Sequence, residues 1–305
     1  FLALAAGLVF AQAQPANRQA LWKQVAAAEK KGLPKTAAAK LQLIYDSALR
    51  DGRHAEAIKA LAKRITHEGA VQGNKPEEKI TRLQAELEKT PDEAKPLLQT
   101  ILGPWYCQSF RANRYRFLQR TATAQPLGDD FTTWDLPRLY REIDLHFTNA
   151  LADGRLKTIP TTDFGDLLTK PALPEHYRPA LYDFIAHEAL GFYSSGEFAE
   201  AKPEDAFEVR ASDPLLGPLD KFLAWVPQTT DTESPQFKAV RLYQDVLRFH
   251  LDDADSSALI DADILRLLHG KRIATGDSAN DRFVEAMQSL VERDPGPLSA
   301  WARYH

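Results

Sequence analysis

The chain has 305 residues, 44% of them hydrophobic and 26% charged, enough apolar material for one large or two ordinary domains with real interiors. Its formal net charge of −4 excludes the broad positive surface on which nucleic-acid binding depends. Its single cysteine, Cys107, excludes an internal disulfide, so stability rests on burial, with Cys107 expected as a small apolar residue among aromatics.

Phe1 to Phe10 form an apolar run followed by Ala11-Gln12-Ala13, the hydrophobic stretch and small-residue cleavage pattern of a secretory signal peptide. The run is too short to span a bilayer, and no lipobox cysteine is present for a lipid anchor. Residues 1–13 are therefore expected to be the remnant of a leader, with Gln14-Pro15 as the mature start, an exported destination and no transmembrane segment.

Helical spacing then dominates. Leu41, Ile44, Tyr45, Ala48 and Leu49 fall at i, i+3, i+4, i+7 and i+8, and Ile58, Leu61 and Ile65 repeat the pattern after the turn at Asp51-Gly52. Further stripes are Leu136, Tyr140, Ile143 and Phe147; Leu181, Ile185, Ala189 and Phe192; and Val240, Tyr243, Leu247 and Leu251. Ile264, Leu267 and Leu268, then Phe283, Met287, Leu290 and Val291, complete the set. Since no alternating pattern of comparable length competes, the spacing predicts an all-α chain of stacked antiparallel helical hairpins, an irregular tetratricopeptide-like α-solenoid. A strict repeat of roughly 34 residues does not fit, although Asp51 to Ala57 and Asp294 to Ala300 resemble the turn-to-helix joints of such repeats.

Breaks in the helical pattern suggest an organisation. The polar turn from Ala122 to Phe131 divides a first helical unit, 14–125, from a second, 126–305, with Thr133 or Asp135 capping the helix that follows. Within the second, the stretch 198–235 carries Pro203, Pro214, Pro218, Pro227 and Pro235 and is expected to wrap across helices as an irregular insertion. Trp301 to His305 reads as mid-helix, without a cap or breaker, so the protein is expected to continue. Gly103-Pro104 predicts a bend, since an interior proline removes a backbone donor.

The densest pattern is Trp105-Tyr-Cys-Gln-Ser-Phe110-Arg-Ala-Asn-Arg114-Tyr115-Arg116-Phe117, running through Arg120-Thr121 to Asp129-Asp130 and Trp134-Asp135-Leu136. Trp105, Tyr106, Phe110, Tyr115, Phe117 and Trp134 are expected to include the most buried aromatics, with Arg114 or Arg116 stacked between helices. A polyanion site on Arg111, Arg114, Arg116 and Arg120 is the competing reading, which the overall charge does not favour.

This block resembles the helical N-terminal region of the large bacterial alpha-2-macroglobulin-like proteins, especially those of Bacteroidetes type, where an aromatic cluster, Asn-Arg-aromatic-Arg-Phe, Arg-Thr, an acidic turn and Thr-Trp-Asp-Leu follow in the same order. Trp22-Lys23 with Lys30 to Ala37, and Ala258 to Asp263, are similar to further helix starts of that family, so the resemblance covers nearly the whole chain; the helix break at Gly103-Pro104 is a departure. The resemblance implies a non-catalytic scaffold or docking region, placed in the periplasm, cell envelope or outside the cell. Its partners would be downstream macroglobulin domains that carry protease trapping or defence, with proteases or envelope proteins as further candidates. A free-standing periplasmic tetratricopeptide-like adaptor is the alternative.

No residue pattern points to an enzyme, a metal or a cofactor. His187-Glu188 lacks the second histidine of a zinc protease helix, because position 191 is glycine. Asp252, Asp253 and Asp255, with Asp261 and Asp263, lack the glycine and terminal glutamate of an EF-hand loop and read as helix caps. Cys107 is followed by Gln108-Ser109-Phe110 and not by the Glu-Gln that the family's thioester requires. Ser194-Ser195-Gly196 is not a nucleophile elbow, and no glycine-rich phosphate loop occurs.

Overall fold

A computed structural model describes residues 15–73, 75–119, 128–164, 174–195 and 205–293. The expected leader 1–13, Arg120, most of the turn 122–131, the start of the insertion at 198–204 and the C-terminal stretch from Asp294 lie outside them. Among the described residues the chain is all-α, with twelve α-helices and no strand beyond isolated bridges at Pro160–Ala180 and Arg210–Thr275. It divides into two compact units, Phe1–Asn113 and Arg114–His305, so the boundary falls earlier than the polar turn suggested.

The first unit holds α1 (Pro15–Lys30), α2 (Pro34–Arg50), α3 (His54–Val71), α4 (Pro76–Lys89) and α5 (Lys95–Ala112), each packed on the next. Its first two joints are built alike. Gly32 and Gly52 take left-handed φ angles of 65° and 66°, which an L side chain resists. Leu33 N–H then returns to Ala28 O at 2.9 Å and Arg53 N–H to Ala48 O at 2.8 Å, satisfying carbonyls that the helix ends would leave bare. Because the next helix starts at once, α1 to α3 must run back and forth. They bury Leu21, Val25, Ala28, Ala37, Leu41, Ile44 and Ala60 against one another.

Polar contacts tie the same three helices. Arg18 of α1, 5% exposed, hydrogen-bonds Ser47 at 3.0 Å and Glu56 at 3.0 Å and pairs with Asp51, while Trp22 Nε1 donates to Glu56 at 2.9 Å. Lower on the stack, Glu29 receives Lys63 at 2.9 Å and His67 at 2.8 Å. Further along, α5 continues unbroken through Pro104.

The second unit begins with α6 (Arg114–Leu118) and continues with α7 (Leu136–Leu151), α8 (Leu181–Tyr193), α9 (Leu219–Ala224), α10 (Pro235–Phe249), α11 (Ser257–Ile273) and α12 (Ala279–Arg293). Asp135 caps α7, accepting the Arg138 N–H at 2.9 Å, which settles the choice between Thr133 and Asp135. Four successive pairings, α7 on α8, α8 on α10, α10 on α11 and α11 on α12, organise the interior. Tyr177, Leu216, Ile260, Ile264, Leu267, Phe283, Met287 and Leu290 form one of its apolar clusters. The described part of the irregular stretch is held by side chains reaching for its carbonyls: Gln244 donates to Phe222 O at 2.8 Å and Trp225 O at 2.7 Å. Leu251, predicted to extend the α10 stripe, lies beyond the helix end and is 46% exposed.

Candidate functional site

The aromatic and arginine block is divided between the two units. Trp105, Tyr106 and Phe110 lie in α5 of the first unit and are buried, at 8%, 2% and 3% exposure. Lys79 sits 4.8 Å from the Trp105 ring centre, and the Tyr106 hydroxyl donates to Gln84 at 3.0 Å. Cys107 is buried in the same helix. Arg114, Tyr115, Arg116 and Phe117 belong to α6 of the second unit, and of these only Phe117 is buried.

Tyr115, expected inside, is 75% exposed, and Arg114 and Arg116, expected between helices, are exposed as well. A helix of five residues is little more than one turn, so one face turns inward and the residues beside it cannot follow. Trp134 is buried, with Nε1 donating to Gly128 O at 3.1 Å, Phe131 edge-on at 6.3 Å and the Arg138 guanidinium 4.3 Å from its ring centre. Arginine stacking on this aromatic thus comes from Arg138, one turn onward.

Of the residues that converge as a chemical site, the sequence had singled out only His187 and Asp261, and both were set aside. Asp183 and His187, one turn apart on α8, meet His250 at the end of α10, Asp261 on α11 and Arg178 just before α8. His250 lies between two carboxylates, with Nε2 2.8 Å from Asp183 and Nδ1 2.6 Å from Asp253. Both ring nitrogens therefore donate; burial alone would lower the pKa, but these bonds raise it above the ordinary histidine value. Asp183 uses its second oxygen to accept the Ala180 N–H at 2.9 Å at the start of α8.

His187 behaves oppositely. Its Nδ1 is 2.7 Å from the main-chain oxygen of Asp183, so Nδ1 carries the proton and Nε2 is bare. Burial, reinforced by the Arg178 charge, pushes its pKa down to about 3. The bare Nε2 lies 3.7 Å from Asp261 Oδ2, and neither atom has a hydrogen-bond partner. Burial pushes Asp261 up to about 6 against the opposing charge of Arg178, whose Nη2 is 3.9 Å away. Further along α11, His269 accepts from Arg272 at 3.0 Å on Nδ1 and lies beside Tyr243, ring centres 5.5 Å apart. Burial, then Arg272, depresses His269 to about 3.

Asp261 and Asp263, expected as caps, instead occupy the interior of α11 at 2% exposure each. Asp253 and Asp255 do act locally, on His250 and on the Ser257 N–H at 2.9 Å. Among the described residues no group of three or more His, Cys, Asp or Glu is placed to hold a metal ion, and no helix is long and apolar enough to cross a membrane.

A separate cleft of about 650 Å³ opens in the second unit. Leu216, the α9 residues Leu219 and Leu223, Leu251, and Leu290 of α12 give it an apolar lining, with Asp220, Arg282 and Glu285 among its polar residues. No protein-family model matches the chain, and no curated protein or solved structure matches it.

Proposed function

We propose that the chain is a non-catalytic helical scaffold with a docking role, the N-terminal region of an exported alpha-2-macroglobulin-like protein whose trapping or defence chemistry lies in downstream domains. The stacked hairpins carry this reading, because such stacks present long rigid surfaces to protein partners. The sequence resemblance supplies the family, and the cleft beside the irregular stretch supplies an exposed apolar place for a partner side chain. Burial of Cys107 agrees with a structural role for it and with placing any thioester elsewhere.

The test is to incubate purified residues 14–305 with a panel of proteases, following activity on a large substrate and covalent adducts. The scaffold reading expects neither inhibition nor adduct. Stoichiometric inhibition, or an adduct at Cys107, would place trapping chemistry in this chain. Reading the gene past the His305 codon separates the two non-catalytic forms: β-rich macroglobulin domains support the scaffold, and an early stop supports the free-standing adaptor.

A further inference from the structure

Asp261 Oδ2 and His187 Nε2 face each other at 3.7 Å as two buried acceptors, neither with a hydrogen bond, Asp261 Oδ2 having only the Arg178 charge at 3.9 Å. Two acceptors at that distance repel or ignore one another until a proton joins them, and a small rotation of either side chain brings them within hydrogen-bond reach. His187 cannot contribute that proton from Nδ1, which is engaged with the Asp183 carbonyl. We propose that Asp261 and His187 form an acid-operated latch between α11 and α8: the ionised carboxylate is held by Arg178, and the protonated carboxyl donates to His187 Nε2.

The surroundings favour a single proton on Asp261. Arg178 precedes α8; α8 contributes Asp183, His187 and Glu188; α10 contributes Tyr243 and its C-terminal His250; and Arg272 lies further along α11. A second cation on His187 would sit in the field of Arg178 and of His250, which is itself protonated between two carboxylates. A proton on Asp261 removes a buried charge instead. Closing the latch takes the counter-charge from Arg178, whose own carbonyl holds Thr161 Oγ1 at 2.9 Å. Acidification thus tightens the α8–α11 contact and releases the side chain at the joint leading into α8.

The experiment compares the whole 305-residue chain with its Asp261→Asn variant, in which an amide donor permanently faces His187. The thermal midpoint of the variant minus that of the parent should rise by several degrees as pH climbs from 3.8 to about 6 and level off above that, because only the parent must bury a carboxylate charge. In the parent, the Nε2 nitrogen resonance of His187 should shift with the folded Asp261 carboxyl, at about pH 6, while Nδ1 keeps its proton. A midpoint difference that is flat or falls with pH overturns the latch, as does conversion of His187 itself to imidazolium in that range. Should the variant fail to fold, the nitrogen titration of the parent decides alone.

Discussion

Asp263 and Arg266, one turn apart on α11, close on each other out of reach of solvent: Oδ1 of the carboxylate lies 2.8 Å from Nε and 2.7 Å from Nη2. The remaining nitrogen, Nη1, donates to Leu215 O at 2.7 Å and Gly217 O at 3.0 Å, and the guanidinium stacks 4.8 Å from the Phe222 ring centre. One neutralised side chain thereby fixes the irregular stretch to the helix behind it.

Removing half of that pair leaves the other half charged and buried. Arg266→Leu should therefore cost about 3–5 kcal/mol, and Asp263→Leu with Arg266→Met together should recover part of the loss. Denaturant unfolding at neutral pH checks both. A loss under 1 kcal/mol for the single variant would mean that water reaches Asp263.

Trp134 and Tyr115 make a contrasting pair. Trp134→Ala empties a buried site and abandons a hydrogen bond to Gly128 O, so a loss of about 3–5 kcal/mol is expected. Tyr115→Ala, at 75% exposure, should change stability by less than about 0.5 kcal/mol. Thermal midpoints of the two variants should differ accordingly.

Two helical glycines should respond to alanine with opposite signs. A Cβ at Gly69 in α3 meets nothing within 4 Å, so the ordinary helix-propensity gain of about 0.5–1 kcal/mol is expected. At Gly270 in α11 the same atom would lie 2.7 Å from Leu216 Cδ2 and 3.2 Å from Leu215 Cγ, and overpacking of about 1–3 kcal/mol should outweigh that gain. Paired unfolding curves measure both signs directly.

Acid should destabilise the second unit through its neutral histidines. His187 and His269, held at about 3 in the fold, keep their stabilising contribution above the unfolded value of 6.5 and lose it as pH falls from 6.5 toward 3. Each loses up to about 1.4 kcal/mol per pH unit. His250, raised, works the other way: its contribution is complete below 6.5 and fades as pH rises through its folded value. Asp261, raised from 3.8 to about 6, likewise favours the fold on the acid side and offsets one histidine over that interval. His269→Gln, whose side-chain oxygen can still accept from Arg272, should flatten the acid limb of stability against pH.

The helices were legible because their signals are local. Leu41, Ile44 and Ala48 share one face by spacing alone, and Gly32 and Gly52 mark the only backbone angles that turn α1 into α2 and α2 into α3 so tightly. Tyr115 was misread because a dense run of aromatics does not say which of them a single turn points inward. The His187–Asp261 pair was invisible for a different reason. Each residue tested alone failed a known motif, and their meeting depends on how α8 and α11 pack, which no local spacing encodes.

The grip of Arg18 on Ser47, Asp51 and Glu56 has a consequence for how the first unit breathes. The joint between α2 and α3 is fastened by a residue on α1, so these two helices cannot part unless α1 lifts first. In hydrogen exchange, the amides of Gly52 and Arg53, bonded across that joint, should open with the same free energy as those of α1 and not with the low cost of an isolated surface turn. Three helices linked in this way form one opening unit, with a clock set at the N-terminal end.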